Sequence, residues 1–357
     1  MSSPPFSARP SARGALSNET GRYEQLRHEA VEDGWDRVED LPPLRTEVRD
    51  EVLKRAISRN GSPDLGFDRS VNPYRGCEHG CVYCYARPSH AHLGLSPGLD
   101  FETKLIARPN APEALARELA KPGYEPAVMA LGTNTDPYQP IERDRRIMRG
   151  LLDVLQDHSH PVGITTKGVL VERDVDILRD MGPHLCRVSI SVTTLDKTIA
   201  RTLEPRVPSP ARRLQAIEKL SKNGVMVQIG LSPIIPGLTD HEVENLLAAG
   251  RDAGAQAATM IPLRLPLEVA PLFEEWVRTH MPDRARRVLN QVRRFHGGKL
   301  YDGAFGHRMR GAGVESDLLQ ARFRRAARQM GLSLRLPPLR TDLFHVPERV
   351  GDQLSLF

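Results

Sequence analysis

The sequence of 357 residues predicts an α/β fold, and within that class a partial (β/α)6 barrel of the TIM type. Short apolar runs alternate from Ala127 onward with amphipathic segments of roughly ten to fifteen residues, a pattern that indicates βαβ units and a parallel sheet. Six such units can be traced, and polar residues follow the apolar runs at the predicted strand ends. An open doubly wound sheet is the alternative, but six repeats with polar strand ends favour the partial barrel.

Five strands and the helices that follow them are visible as apolar and periodic segments. The predicted strands are AVMALG (127–132), PVGITT (161–166), LCRVSISVT (185–193), VMVQIGL (225–231) and AATMIPL (257–263). The helical patterns that follow them are DRRIMRGLLDVLQD, VERDVDILRDMG, PARRLQAIEKLSKNG, TDHEVENLLAAGRDAG and PLFEEWVRTH. We expect Gly182, Gly224 and Gly254 to end three of these helices, and an earlier strand that leads to Cys77 completes the six units.

Composition divides the chain into five predicted regions. Residues 1–18 are rich in Ser, Pro and Arg and predict a disordered leader. We assign 19–64 to an N-terminal extension, 65–280 to the core barrel, 281–345 to a basic helical C-terminal extension and 346–357 to a flexible tail. No run approaches the ~18 to 20 apolar residues of a membrane span, and the N-terminus lacks a signal-peptide core. The expected location is therefore the cytoplasm, with no membrane partner.

Positive charge is concentrated near the C-terminus. The chain has 50 basic and 45 acidic residues, a net charge of +5, and its 39% hydrophobic content excludes a fibrous or wholly disordered protein. Fifteen basic and four acidic residues between Arg278 and Arg340 give this segment +11, which leaves −6 for the rest. Such asymmetry is typical of a protein that meets a polyanion, and a solvated arginine-rich helix face is the alternative.

Three of the four cysteines lie in one loop. Cys77, Cys81 and Cys84 have the spacing C-x3-C-x2-C, and Cys186 stands alone. So close a cluster is poor material for disulfides and predicts a metal site in a reducing compartment. A glycine precedes each of the first two cysteines, which lets the backbone curl and bring the thiolates together.

Three thiolates indicate an iron–sulfur cluster. A [4Fe-4S] cluster usually takes four cysteines, so a set of three leaves one iron open to a substrate or cofactor. Zinc bound by the three cysteines and His79 is the alternative. His79 lies between two of these ligands, however, and the sequence has no second CxxC or HxxxH.

The cysteine motif resembles that of the radical S-adenosylmethionine (SAM) superfamily. C-x3-C-x-aromatic-C, with Tyr83 as the aromatic residue, follows the first strand of a six-unit β/α chain. More narrowly, NPYRGCEHGCVYCYARPSH followed by GTNTDPYQPIE is similar to the spore photoproduct lyase-like, or DNA repair photolyase-like, branch, over about residues 65–280. The resemblance implies a barrel of the radical SAM type and a [4Fe-4S] cluster bound by Cys77, Cys81 and Cys84. It also implies SAM bound to the open iron through its amino and carboxylate groups.

The resemblance further implies a radical reaction. An electron from a donor such as flavodoxin or ferredoxin passes through the cluster and splits SAM into methionine and a 5′-deoxyadenosyl radical, which abstracts hydrogen from a substrate. Tyr83 and Tyr85 flank the third cluster cysteine and are candidates for radical transfer. Tyr83 is also expected to contact the cofactor.

Polar residues at the next two strand ends are the implied contacts to methionine. Thr133, Asn134 and Thr135 follow the second strand, where the family binds the methionine amino group; a polar loop with a turn at Asp136-Pro137 is the alternative. Lys167 follows the third strand and meets either the methionine carboxylate or solvent.

The fourth strand carries a row of polar side chains. Alternation with a period of two places Arg187, Ser189, Ser191 and Thr193 on one face, which we expect to line the barrel interior. By resemblance, Ser191 and Thr193 contact the ribose and carboxylate of SAM. The segments LSPIIPG and IPLRLP, after the fifth and sixth strands, are implied to give apolar and backbone contacts to adenine.

Other features bear on the substrate. By resemblance, spore photoproduct lyases split a thymine dimer in DNA and return hydrogen from a cysteine after the second strand, but residues 127–142 contain no cysteine. Cys186 begins the fourth strand, at the wrong end of the barrel, and is expected to belong to the core. Glu204 and Arg206 follow the fourth strand and either close over a substrate or form a loop ion pair.

The C-terminal peptide QLSLF resembles the short motif by which bacterial replication and repair proteins bind the DNA sliding clamp. It comprises Gln353, Leu354, Ser355, Leu356 and Phe357, and a tail packed on its own barrel is the alternative. Together with the +11 segment, it favours a radical enzyme that acts on a damaged or modified base in DNA. A radical SAM enzyme on RNA, protein or a small molecule, and a non-catalytic iron–sulfur protein that binds nucleic acid, are the alternatives.

Overall fold

The computed structural model describes residues 13–24 and 44–348, and ten strands form two sheets within them. The strands are β1 (Glu47–Asp50), β2 (Ile57–Arg59), β3 (Arg69–Val71), β4 (Tyr74–Arg75), β5 (Lys104–Ala107), β6 (Met129–Leu131), β7 (Val162–Thr166), β8 (Cys186–Ser191), β9 (Val227–Ile234) and β10 (Ala257–Pro262).

The larger sheet has the strand order β10-β9-β8-β7-β6-β3-β2. Neighbours from β3 to β10 pair in parallel, and β2 joins the edge as the antiparallel partner of β3. The six parallel strands follow one another in space as they do in the chain, without the reversal that defines a doubly wound sheet. No pairing closes β10 onto β2 in the described ranges, so the sheet is an open, partial barrel. The predicted fold class is confirmed.

The described residues form eleven α-helices, and those between successive parallel strands connect them. The helices are α1 (Asp100–Thr103), α2 (Ala111–Leu119), α3 (Glu142–Arg145), α4 (Ile147–Asp157), α5 (Val175–Leu185), α6 (Lys197–Leu203), α7 (Pro210–Lys222), α8 (Val243–Asp252), α9 (Val269–His280), α10 (Pro282–Phe295) and α11 (Val314–Gln329). In α4, Ile147, Leu151 and Leu155 recur at intervals of four residues and are buried, as expected of a helix that packs on a sheet. Among the described residues, no helix combines the length and apolar character needed to cross a membrane.

Two of the three predicted helix-ending glycines behave as expected. Gly224 and Gly254 follow α7 and α8 with φ angles of +80° and +90°, the left-handed conformation of a C′ glycine. Gly182 also has a positive φ, +68°, but its ψ of 179° is non-helical, so it kinks α5 rather than ending it. The helix resumes at Pro183 and continues to Leu185.

The smaller sheet, β1-β5-β4, fixes the chain just before the cysteine loop. β5 pairs in parallel with β1 and antiparallel with β4. Tyr74 of β4 is fully buried, and its hydroxyl donates to the carboxylate of Glu142 at 2.5 Å. Cys77 comes three residues later, so the loop begins from an anchored strand.

The C-terminal region adds α10 and α11, whose apolar faces are buried. Val288 and Val292 of α10 and Leu319 and Phe323 of α11 lie in the core. The arginines occupy the opposite faces of these helices and are exposed: Arg284, Arg286, Arg287, Arg324, Arg325 and Arg328. Much of the +11 charge therefore lies on solvated helix faces.

Residues 13–18 differ from the predicted disordered leader, and we call them the N-terminal strap. Ala15 is fully buried, and the backbone amides of Gly14 and Ala15 donate to the carboxylate of Glu102 at 2.9 and 2.8 Å. Arg13 donates to the carbonyl oxygen of Glu102 at 2.9 Å. Composition does not predict this packing because the contacts use backbone amides and a carboxylate far along the chain. Residues 1–12 of the leader lie outside the described residues.

The close approach of the strap to the cysteine loop can be tested with Gly14→Ala. A Cβ at Gly14 would lie 1.6 Å from the carbonyl oxygen of Gly80, so the strap or the loop must move. We expect the free energy of unfolding to fall by about 1–3 kcal/mol, measured by urea denaturation. Gly61→Ala is the control, since a Cβ there meets nothing within 4 Å, and it should change stability by less than about 0.5 kcal/mol. Equal stability of the two variants would contradict this packing.

Candidate functional site

A cavity of about 590 Å³ opens at the carboxyl ends of the parallel strands, where α/β barrels place their active sites. Polar side chains from several strands form its wall, including Ser70 of β3, Thr165 of β7 and Thr259 of β10. Of the residues predicted to hold the cluster, contact the cofactor or transfer the radical, all except Thr193 line this cavity: Cys77, Cys81, Cys84, Tyr83, Tyr85, Thr133, Asn134, Thr135, Lys167 and Ser191.

Alternation along β8 produces the predicted polar wall at Ser189 and Ser191, whereas Arg187, near the beginning of the strand, does not line the cavity. Ser189 and Ser191 line the cavity, whereas Val188 and Ile190 lie in the hydrophobic core. Gly230 of the adjacent strand β9 leaves room for both hydroxyls, because a Cβ there would lie only 3.3 and 3.4 Å from the two serine oxygens. This part of the wall is therefore polar and uncrowded.

The cysteine loop turns sharply twice. Gly76 and Gly80 have φ angles of +75° and +68°, a left-handed conformation that side chains other than glycine rarely adopt. Cys77 and Cys81 are buried and Cys84 is half-buried, and all three are free thiols. The glycines thus let three thiols in eight residues reach one wall of the cavity.

A buried ion pair supports the loop on one side. The side chains of Arg87 and Glu102 are both 0% exposed, and Nη2 of Arg87 lies 2.5 Å from Oε1 of Glu102. Nε of Arg87 donates to the carbonyl oxygen of Cys81 at 3.0 Å. Because Glu102 also accepts the amides of the strap, this pair joins the strap to the loop.

Gln139 supports the loop on the other side. It is fully buried, and its amide group donates to the carbonyl oxygen of Gly76 at 3.2 Å while it accepts from the amide of Glu78 at 2.8 Å. The carboxylate of Glu78 pairs with Arg206 at 3.1 Å. Arg206 therefore does not pair with Glu204, and that predicted alternative is wrong.

The three thiols suit an iron–sulfur cluster. Burial raises the pKa of Cys77, Cys81 and Cys84, and the charge of Lys167 opposes this shift at Cys81 and Cys84. Thiols that burial keeps protonated need a bound cation to become thiolates. An iron–sulfur cluster supplies that charge and prefers thiolate ligands.

Zinc fits this arrangement poorly. In the part of the chain that the structure describes, no group of three or more His, Cys, Asp or Glu side chains could hold a single metal ion. Structural zinc needs four ligands around one point, with Zn–S distances of about 2.3 Å, whereas each cysteine of a [4Fe-4S] cluster binds a different iron. Moreover, Nδ1 of His79 faces the carboxylate of Asp136 at 3.3 Å.

Tyr83 belongs to a buried network behind the cavity wall. Its hydroxyl donates to the carboxylate of Glu204, and the hydroxyl of Thr193 donates to the same carboxylate at 2.8 Å. Nη2 of Arg213 pairs with the other oxygen at 2.7 Å, and the side chains of Arg213 and Glu204 are 1% and 0% exposed. Burial alone would raise the pKa of Glu204, but Arg213, Lys167 and the two hydroxyls outweigh burial and lower it.

This network corrects two predictions. Thr193 does not line the cavity, because its hydroxyl faces Glu204 rather than the space for a cofactor. Glu204 is fully buried, so it does not stand in a loop that closes over a substrate. The alternation of residues along β8 predicts which face of the sheet Thr193 lies on, but it does not predict that its hydroxyl bonds to Glu204.

Asp136 organises the segment after β6. Its carboxylate accepts from the hydroxyl of Thr166 at 2.6 Å and from the amides of Lys167 and Tyr138 at 2.7 and 2.9 Å. Burial would raise the pKa of Asp136, but the charge of His79 and the hydrogen bonds from Lys167 and Thr166 lower it to about 2. The predicted Asp-Pro turn is therefore also a link between two strand ends.

Lys167 points into the site rather than to solvent. Its Nζ donates to the carbonyl oxygen of Ser232 at 3.0 Å and lies 5.7 Å from the centroid of the Tyr83 ring. Thr135 lines the cavity, and its hydroxyl donates to the carbonyl oxygen of Tyr74 at 3.1 Å. Both positions agree with the prediction that polar strand ends meet at this edge of the sheet.

Comparison with known proteins identifies the family. Residues 71–249 match the model of the radical SAM superfamily. The chain belongs to the radical SAM superfamily. An uncharacterized protein of Mycobacterium tuberculosis is 34% identical over 249 residues, which cover 68% of this chain and 73% of the relative. An uncharacterized protein of Methanocaldococcus jannaschii is 28% identical over 194 residues, or 54% of this radical SAM chain and 71% of the relative.

Solved structures of spore photoproduct lyase share this radical SAM fold. A mutant of that lyase aligns with a TM-score of 0.59 and 15% identity over 80% of this chain and 81% of that chain. Another mutant, with bound AdoMet and dinucleoside spore photoproduct, aligns with a TM-score of 0.57 and 15% identity over the same shares. At this identity the likeness establishes the fold, and the predicted spore photoproduct lyase-like assignment agrees with it.

Sequence reasoning missed several residues that shape the radical SAM site. Gln139 lies in the segment GTNTDPYQPIE, so its position after a strand was a usable signal. Nothing in the sequence indicates that three charged residues are buried, because charged residues in helical or loop patterns predict solvated side chains. These residues are Arg87, Glu102 and Arg213. Their burial becomes visible only when their partners in other segments are known.

The buried pair behind Tyr83 can be tested with Arg213→Met. The variant leaves the charge of Glu204 without its cationic partner, so we expect the free energy of unfolding to fall by about 3–5 kcal/mol in urea denaturation. Arg212→Met is the matched control, since Arg212 is 40% exposed and its pairing with Glu172 should contribute less than about 1 kcal/mol. Adding Glu204→Leu to Arg213→Met should restore much of the loss. A double variant no more stable than Arg213→Met would show that the unpaired charge is not the cause.

Proposed function

We propose that this radical SAM enzyme acts on a damaged or modified base in DNA. The observation that carries the proposal is that Arg308 and Met309, which belong to the +11 segment, line the same cavity as the three cysteines. A polyanion attracted to this segment would be brought to the cavity, because clustered positive charge raises the local concentration of an anionic ligand.

The three cysteines would hold the [4Fe-4S] cluster that the family implies. When bound, the cluster and SAM supply the reductive cleavage that yields methionine and a 5′-deoxyadenosyl radical. A small electron-transfer protein such as flavodoxin or ferredoxin would deliver the electron. The chain would orient SAM through polar groups on the cavity wall: Thr133, Asn134 and Thr135 toward the amino group, Lys167 toward the carboxylate, and Ser191 toward the ribose.

Similarity of fold to spore photoproduct lyase supports a nucleotide substrate, but this chain differs from the pattern expected of those lyases in one respect. A spore photoproduct lyase of the same fold is solved with a dinucleoside spore photoproduct, which favours a nucleotide substrate by analogy. Here, residues 127–142 contain no cysteine, and Cys186 is buried in the core. Tyr85 is the better placed of the two tyrosines for radical transfer, because it is 43% exposed whereas Tyr83 is 6% exposed and bonded to Glu204.

Formation of 5′-deoxyadenosine tests the reaction and its substrate together. Holoenzyme reconstituted anaerobically and reduced with dithionite should form 5′-deoxyadenosine from SAM. Ultraviolet-irradiated DNA should raise the rate several-fold above intact DNA of the same sequence, because a lesion supplies the hydrogen to be abstracted. Equal rates with irradiated and intact DNA would contradict the substrate assignment, and stimulation by irradiated RNA alone would reassign the substrate.

Cysteine variants provide the matched control for that assay. Cys84→Ala should abolish both bound iron and product, whereas Cys186→Ala should retain both, since Cys186 lies in the core and not on the cavity wall. Iron and product retained in Cys84→Ala would mean that the three cysteines do not hold the cluster.

We also propose that the peptide QLSLF binds a bacterial sliding clamp; it lies outside the described residues. Deletion of 353–357 should abolish binding to immobilised clamp in surface plasmon resonance, because the apolar anchors Leu354, Leu356 and Phe357 are lost. A full-length chain with the same five residues in scrambled order is the control for length and composition. Binding that survives the deletion would remove this partner.

A further inference from the structure

Arg264 stands on the cavity wall with most of its hydrogen-bond donors unused. A guanidinium carries five N–H groups. Among the described residues, its one hydrogen bond runs from Nη1 to the sulfur of Met309 at 2.9 Å, and a thioether is a weak acceptor. Its Nε is buried and lacks a hydrogen-bond partner. An unsatisfied charged donor in a cavity wall is costly, which points to a ligand that would satisfy it.

The nearby carboxylate of Asp64 does not satisfy Arg264. Asp64 accepts from Nε of Arg308 at 2.7 Å and from the amide of Gly306 at 2.8 Å. The charge of Arg264 contributes less to the lowered pKa of Asp64 than the Gly306 amide and Arg308 do. Asp64 thus compensates Arg308. Within residues 13–24 and 44–348, Arg264 forms no ion pair on this rim.

Tyr85 holds this guanidinium in place. The central carbon of the Arg264 guanidinium lies 4.7 Å from the centroid of the Tyr85 ring, a cation–π contact. The hydroxyl of Tyr85 donates to the carbonyl oxygen of Thr133, which fixes the ring. A cation positioned before its ligand arrives loses less conformational entropy on binding.

Arg264 and Lys167, the cation assigned to the cofactor, contact different parts of the cavity wall. Lys167 lies beside the ring of Tyr83, which is the aromatic residue of the cysteine motif. Arg264 instead contacts Met309, in the C-terminal region, and the half-exposed Tyr85. Lys167 is therefore suited to the methionine carboxylate, and Arg264 to an anion that arrives from outside.

We propose that Arg264 binds the phosphate next to the target nucleotide. This assignment rests on the proposed function, since it takes the substrate to be nucleic acid. A phosphodiester presents two oxygens to the forked N–H groups of arginine, a much stronger acceptor pair than a thioether. With this phosphate held at the rim, the attached base can enter the cavity while the strand stays outside.

Binding of labelled single-stranded oligothymidylate to the reconstituted holoenzyme tests the assignment by fluorescence anisotropy over a series of salt concentrations. Arg264→Gln should weaken binding about tenfold and reduce the slope of log K against log salt by about 0.7, the loss of one phosphate contact. Arg264→Lys should keep the wild-type slope with intermediate affinity, because it retains the charge without the fork. Arg251→Gln is the control: Arg251 is exposed near the end of α8 that leads into β10, opposite the cavity.

SAM binding to the same variants, measured by equilibrium dialysis, completes the test. It should not change, because the adenine contacts implied for the segment IPLRLP come from backbone and apolar groups and not from the side chain of Arg264. Wild-type affinity and salt slope in Arg264→Gln would overturn the phosphate assignment while leaving the DNA proposal standing. A loss of SAM affinity in Arg264→Gln would also overturn it, because Arg264 would then serve the cofactor or the local fold. If the wild-type holoenzyme binds no oligonucleotide, the proposed function fails, and this assignment fails with it.

Discussion

The geometry of the cysteine loop depends on one buried ion pair, that of Arg87 and Glu102. Burying two charges costs several kcal/mol each, a cost that only a short and fully hydrogen-bonded pair offsets. Here all three nitrogens of Arg87 form hydrogen bonds: beside its bond to Glu102, Arg87 donates to the carbonyl oxygens of Cys81, Pro97 and Gly98, and Glu102 accepts two amides of the N-terminal strap. The loop and the strap are consequently one unit.

The parallel strands of the partial barrel form the cavity wall that faces the cysteine loop. Parallel strands that follow chain order bring all their carboxyl ends to one edge, so polar residues scattered through the sequence meet there. Hydrogen bonds then tie the strand ends together, as Asp136 does for the segments after β6 and β7. A small residue such as Gly230 leaves room between neighbouring polar side chains. The wall is thus a consequence of topology, and the cysteine loop is a local structure fastened to it.

Local signals made much of this site predictable. Strand alternation, helix periodicity and the cysteine spacing each lie within about twenty residues of sequence, and the corresponding strands, helices and cavity residues are where they were expected. The errors involve partners far apart in the chain. Tyr83 and Glu204 are 121 residues apart and Gly14 and Glu102 are 88 apart, so no pattern in either segment reports the contact. Thr193 shows the same limit, because alternation fixes a side chain's face but not the group that bonds to it.

The net charge of a segment does not show which of its cations are free to bind a ligand. Arg308 and Met309 of the +11 segment line the cavity, yet the helical arginines of this segment are on solvated faces and Arg308 is neutralised by Asp64. In the part of the chain that the structure describes, Arg264 is the rim cation whose Nε lacks a hydrogen-bond partner, and it lies outside that segment. Net charge over a stretch of sequence measures how strongly a region attracts a polyanion at a distance. Recognition at the site depends instead on donors that the fold leaves unpaired, and only the structure reveals which these are.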